Sequence, residues 1–184
     1  MEPEKCTICE AIKEGSTELG HTEPNAEGNC DRCGTNLEVA ASEITASITL
    51  NELKAANTGW TIGGSSATKV TSFNVDDNVT VTIGGGANSG KVYSESIRIY
   101  ATDSPAGTIT VSVPEGYELV SVKVTTAAQN VSAFLYVEGT TVDISNVTTA
   151  VSGQSVVLTS ARNGDDGKQV RLTAIEVVYR PVSA

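Results

Sequence analysis

The chain has 184 residues, room for one ordinary domain and a small appendage but not for two full domains. Its 22 acidic and 12 basic residues give a net charge of −10, which argues against a nucleic-acid partner and against binding to anionic lipid. Hydrophobic residues make up 39% of the chain and aromatics only 4%, so Val, Ile, Leu and Ala must fill the interior, as they do in β-sheets.

No apolar run approaches the roughly 18 residues of a spanning helix, and Met1-Glu2-Pro3-Glu4-Lys5 lacks the basic start and apolar stretch of a signal peptide. The chain as written therefore reads as soluble, without membrane insertion. His21 is the only histidine, which removes Ser-His-Asp, Cys-His and multi-histidine metal chemistry. A carboxylate pair would need two acids held about 5 to 10 Å apart in a cleft, and no spacing in the chain suggests one. The expectation is a non-catalytic protein.

All four cysteines fall near the start, as Cys6-Thr7-Ile8-Cys9 and Cys30-Asp31-Arg32-Cys33, a C-x2-C-x20-C-x2-C pattern at the upper edge of zinc-site spacing. Two residues between cysteines let a tight turn aim both sulfurs at one point, and Gly34 permits the left-handed backbone such a turn often needs. Structural zinc on Cys6, Cys9, Cys30 and Cys33 is the favoured reading, with His21 nearby or replacing Cys9. Two disulfides are the competing reading, suited to an oxidising compartment. Either way the role is structural, since four protein ligands leave no open position for chemistry. The segment has too few apolar residues to fold on a core of its own, and metal binding can supply that missing free energy.

The stretch Gly20-His21-Thr22-Glu23-Pro24-Asn25-Ala26-Glu27-Gly28-Asn29-Cys30-Asp31-Arg32-Cys33-Gly34 resembles the cysteine knuckles that punctuate large secreted or surface proteins of gut-type bacteria. That resemblance implies Cys6, His21, Cys30 and Cys33 as ligands and an origin outside the cytoplasm.

Residues 1–38 hold 9 acids and 3 bases, leaving 13 acids and 9 bases for the remainder, and the composition changes there to Val, Thr, Ser, Ala and Gly. The chain thus divides into a cysteine-rich knuckle over 1–38 and a β-sandwich domain over 39–184. Alternating apolar and polar residues predict a first strand at Ser47-Ile48-Thr49-Leu50, then strands near 69–75, 78–83, 96–100, 107–113, 118–126, 131–137, 155–160 and 170–179. Asn51 to Ala56 reads as one helical turn, and Asn57 to Ser66 as a long loop. Val75-Asp76-Asp77-Asn78-Val79, Val113-Pro114-Glu115-Gly116-Tyr117 and Arg162 to Lys168 read as hairpin turns, because Asn and Gly accept positive φ at little cost. The expected fold is an all-β, antiparallel two-sheet sandwich of jelly-roll type with a small zinc-ribbon-like knuckle in front.

Ser96-Ile97-Arg98-Ile99-Tyr100, Gly107 to Val113, Gly116 to Val124 and the closing Arg171 to Tyr179 together resemble β-sandwich accessory domains, carbohydrate-binding-module-like, of multidomain secreted bacterial proteins. The resemblance spans nearly all of 47–180 and implies a module that sits among neighbouring domains of a larger protein, without transferring any binding residue.

Trp60 is the only tryptophan and lies in a polar, Gly-rich loop, either as a ring that stacks on a sugar or as a plug over one end of the sandwich. Tyr93 follows the glycine run Gly84-Gly85-Gly86, a run that reads as a flexible connection and not as a phosphate loop, since no helix follows it. Arg98 stands between Ile97 and Ile99 and so faces away from them, toward either a ligand or a carboxylate such as Glu95 or Glu176. Trp60, Tyr93 and Arg98 are the candidate contacts for a glycan or cell-surface ligand. Asp76-Asp77-Asn78 and Asn163-Gly164-Asp165-Asp166 offer hard oxygens for calcium, or serve as turns. A structural spacer that binds nothing small is the alternative function.

Overall fold

Alternation with a period of two places one apolar residue of every pair on a common face, and two such faces closed against each other make the core of this protein. The computed structural model describes residues 42–127, 133–165 and 167–182. The knuckle expected over 1–38, with Cys6, Cys9, His21, Cys30 and Cys33, lies outside the described residues.

Eleven strands and one helix are present among the described residues: β1 (Ile44–Thr49), α1 (Leu50–Ala56), β2 (Ser72–Asn74), β3 (Thr80–Gly84), β4 (Lys91–Val92), β5 (Ile97–Tyr100), β6 (Thr108–Ser112), β7 (Tyr117–Thr126), β8 (Phe134–Val137), β9 (Thr149–Ala150), β10 (Ser155–Ala161) and β11 (Gln169–Pro181). They form two antiparallel sheets. One has the order β4-β5-β11-β7-β9, with β1 also paired to β11; the other has the order β2-β3-β6-β10-β8. From β5 to β11 each successive strand lies in the opposite sheet. The connections therefore cross the ends of the sandwich.

The five-stranded sheet carries the aligned rows Val81–Val111–Val156 and Ile83–Ile109–Leu158 on its inner face. Val81, Ile109, Val111 and Leu158 are fully buried, as are Ile97, Ile99, Val170 and Val177 from the facing sheet. Two irregularities of pairing in the β7–β11 ladder, at Leu172/Ala174 and Val178/Tyr179, reset the alternation. Before the first, Val170 and Leu172 face the core; after it, Ile175, Val177 and Tyr179 do. Thr173 is the extra residue, and its Oγ1 donates to the Thr125 carbonyl at 3.0 Å. Without that step one half of β11 would turn its polar side inward.

The helix starts with a capping box. Thr49 Oγ1 accepts from Glu52 N at 3.3 Å, and Glu52 Oε2 accepts from Thr49 N at 2.8 Å. The Thr49 hydroxyl, which donates to Glu52 Oε2 at 2.7 Å, and then the Thr49 N–H hold the Glu52 carboxyl below its ordinary pKa. Leu50 and Leu53, three residues apart and so on one face, are buried together with Phe73, Ile97, Leu172 and Ile175 around one small gap.

Two of the expected hairpins are not hairpins. Val75 to Val79 does join the paired strands β2 and β3. Val113 to Tyr117 instead carries the chain from β6 to β7, and Arg162 to Lys168 from β10 to β11, each from one sheet to the other. Gly116 and Gly164 have positive φ, +87° and +68°, and the same turn chemistry serves a sheet-to-sheet crossing as well as a hairpin.

Candidate functional site

Because Ile97 and Ile99 are buried in the core, Arg98 between them projects from the outer face of the six-stranded sheet. The registers then line up cations across neighbouring strands. Lys91 pairs with Arg98, Arg98 pairs with Arg171, and an isolated antiparallel bridge places Lys69 opposite Lys91. Lys69, Lys91, Arg98 and Arg171 thus form one row across the strands, about 14 Å long at the usual strand spacing. Directly opposed like charges destabilise an antiparallel pair. This sheet holds three such pairs in succession.

The side chains around the row orient it. The Arg98 guanidinium carbon lies 3.4 Å from the centroid of the Tyr93 ring, a cation–π stack between diagonal neighbours on one face. Among the described residues Arg98 Nε is buried with no hydrogen-bond partner. Of the two carboxylates expected to pair with Arg98, Glu176 lies elsewhere on the sheet. Glu176 stands opposite Lys123 and Ser47. Gln169, 9% exposed, anchors the other arginine: with its amide turned to satisfy both ends, Nε2 donates to Tyr100 Oη at 3.0 Å and Oε1 accepts from Arg171 Nη2 and Nε at 3.1 and 3.2 Å. Arg171 is held by a fork, Arg98 by a ring.

Below the row, the glycine-rich loop is pinned in place, and the expectation of a flexible connection gives way to a packed one. Asp103 accepts from Asn88 N at 3.1 Å, Asn88 Nδ2 at 3.2 Å, Ser89 N at 3.0 Å and Ser89 Oγ at 3.1 Å. Ser89, fully buried, in turn accepts from Tyr100 N at 2.9 Å. Gly90 has φ +95°, and a Cβ there would run into the Val70 carbonyl oxygen. The glycines are present because two backbones meet at this point. That packing fixes where Lys91 begins β4.

Trp60 is half-buried and packs against the core, the plug position rather than a free loop tip. Its loop nevertheless runs beside β4: Gly63 N donates to Val92 O at 2.9 Å, and Val92 N donates to Thr68 O at 3.0 Å. A Cβ on Gly63 would stand 3.8 Å from Tyr93 Cδ1. Of the three expected contacts, the structure brings Tyr93 and Arg98 together and sets Trp60 into the rim of the core. A hollow of about 330 Å³ lies between Thr49–Asn51, Ser94–Glu95 and Thr173, with none of the three in its lining.

The two acidic turns differ. Asp76 Oδ1 accepts from Asn78 N at 2.9 Å and Val79 N at 2.7 Å, and Oδ2 accepts from Tyr179 Oη at 2.8 Å, so both oxygens have protein donors. In the second turn Arg162 Nη2 donates to the Asp165 carbonyl. Among the described residues no three His, Cys, Asp or Glu side chains converge as a metal site would require.

Lys69, Lys91, Tyr100, Gln169 and Arg171 are absent from the site residues expected from the sequence. Each of Lys91, Tyr100, Gln169 and Arg171 occupies an outward position in an alternating strand, but only long-range pairing puts them in one line. Comparison with protein-family models, with curated proteins and with solved structures finds no match to the chain.

Proposed function

We propose that the chain is a non-catalytic binding module of a larger secreted or cell-surface bacterial protein, and that it takes a glycan or other surface ligand on the outer face of its six-stranded sheet. The observation that carries this reading is the Tyr93–Arg98 stack, a planar cation whose buried Nε has no partner, standing on a rigid sheet face. The strand alternation between sheets supports a jelly-roll-like connectivity, which suits a scaffold whose chemistry lies in side chains on one face. A structural zinc knuckle on Cys6, Cys9, Cys30 and Cys33, with His21 beside them or in place of Cys9, belongs to the same reading. Calcium at Asn163 to Asp166 is the weaker part of it, since Asp76 already uses both its oxygens.

A spacer that binds nothing small is the second reading. The half-buried position of Trp60 favours it, because the one tryptophan then serves the fold.

The test is a screen of the chain against an array of host and plant glycans, with and without calcium. Binding that Tyr93→Ala abolishes, with the melting transition nearly unchanged, supports the module. Silence across the array from a folded sample supports the spacer.

A further inference from the structure

We infer that the row Lys69–Lys91–Arg98–Arg171 is a docking strip for a linear acidic polysaccharide, one whose sugars carry carboxylate or sulfate groups. The inference rests on the glycan-binding reading and names its ligand class.

The charge distribution is the first argument. Beyond residue 38 the chain has 9 bases and 13 acids, and four of those nine bases stand in this single row. Placing them in register, each opposite the next, works against the sheet's own stability. An anionic ligand laid along the row turns three repulsive pairs into a continuous counter-charge.

The second argument is the donors left over. Among the described residues the buried Arg98 Nε makes no hydrogen bond, and the guanidinium lies against the Tyr93 ring. Among the described residues Lys69 Nζ donates to the Gly86 carbonyl at 3.1 Å and Lys91 Nζ to Asn88 Oδ1 at a long 3.4 Å. Arg171 uses Nε and Nη2 on Gln169 and keeps Nη1. A guanidinium fork matches the paired oxygens of a carboxylate or sulfate.

Shape and stacking select the ligand class. A straight row at strand spacing fits an extended chain with repeated charges better than a compact ion, which needs donors converging from several sides. A single-stranded nucleic acid is held largely by stacking its bases on aromatic rings, and the Tyr93 ring beside the row already has Arg98 stacked on it. An acidic polysaccharide presents hydroxyls between its charges.

Affinity electrophoresis of the full chain tests this, in gels containing polygalacturonate, chondroitin sulfate, dextran or neutral xylan, with a single-stranded oligonucleotide as a further probe. Retardation by at least one acidic polymer is expected, weakening steeply as salt rises toward about 0.5 M. The Lys69→Gln, Lys91→Gln double variant should keep or raise its melting temperature and lose about tenfold in affinity, and Arg98→Lys should lose binding although it keeps the charge. Should Arg98→Lys fold poorly, the lysine pair carries the test. Retardation by dextran or xylan alone overturns this inference and leaves the glycan reading standing. No retardation by any polymer overturns both. Stronger retention by the oligonucleotide than by either acidic polymer, or acidic binding unchanged in the lysine variant, overturns the strip.

Discussion

Tyr179 Oη donates a 2.8 Å hydrogen bond to Asp76 Oδ2, joining residues 103 positions apart and the two sheets of the sandwich. Asn78 Nδ2 donates to the same hydroxyl at 3.2 Å, and the Tyr117 ring stands edge-on 5.6 Å away. The ring is 2% exposed, so the β2–β3 turn is tied to the closing strand from inside.

That environment pushes the Tyr179 phenol above its ordinary pKa, first through burial and then through the Asp76 carboxylate, while the Asn78 bond opposes the shift. A raised pKa means that the folded state keeps its proton when the unfolded chain begins to lose it. The stabilisation is therefore full below about pH 10 and falls as pH rises beyond that. Tyr179→Phe should lower stability at pH 7 by about 1–2 kcal/mol and flatten the alkaline limb of a plot of melting temperature against pH. An equally steep alkaline fall in the variant would place the titrating group elsewhere.

Asp103 holds the glycine-rich loop by four hydrogen bonds, two of them from backbone N–H groups. Asp103→Ala should cost about 2–3 kcal/mol in urea unfolding and raise amide exchange in 86–90, because Ser89 is buried and would lose its acceptor. Full retention of both quantities would show that the packed glycines alone suffice.

Gly90→Ala is expected to be worse than its size suggests. The new Cβ meets the Val70 carbonyl at a backbone with φ +95°, so both clash and strain oppose it. A loss of about 3 kcal/mol or more is predicted, against about 1–2 kcal/mol for Gly116→Ala, where no atom lies within 4 Å and only the φ of +87° is unfavourable. The two melting temperatures separate the clash from the strain.

Trp60→Ala should lower the unfolding free energy by about 2 kcal/mol, less than a fully buried tryptophan would, since only part of the ring packs on the core. A variant as stable as the parent would return Trp60 to the list of free ligand contacts.

For the cysteine segment the expected result is a native mass one zinc heavier than the denatured mass, with all four thiols open to alkylation after unfolding. Alkylation-resistant cysteines would favour disulfides.

The antiparallel sandwich was legible in the chain because burial of one face imposes a period of two, and Ile97-Arg98-Ile99 or Thr108-Ile109-Thr110-Val111 carry that period in plain view. The same local rule placed Arg98 on the outer face and the Val75 to Val79 turn between paired strands. Strands of two residues, β4 and β9, are too short to show any period.

What depended on pairing was not legible. Turn residues satisfy local φ and ψ whether the next strand pairs beside the last or crosses to the other sheet, so Val113 to Tyr117 and Arg162 to Lys168 read alike and proved to be crossings. The phase step at Thr173, the burial of Ser89 and the line from Lys69 to Arg171 all depend on which distant strand lies alongside. Side-chain alternation is a property of each strand by itself, and composition and period follow from it; register is a property of two strands together, and it alone decided that four separated cations stand in one row.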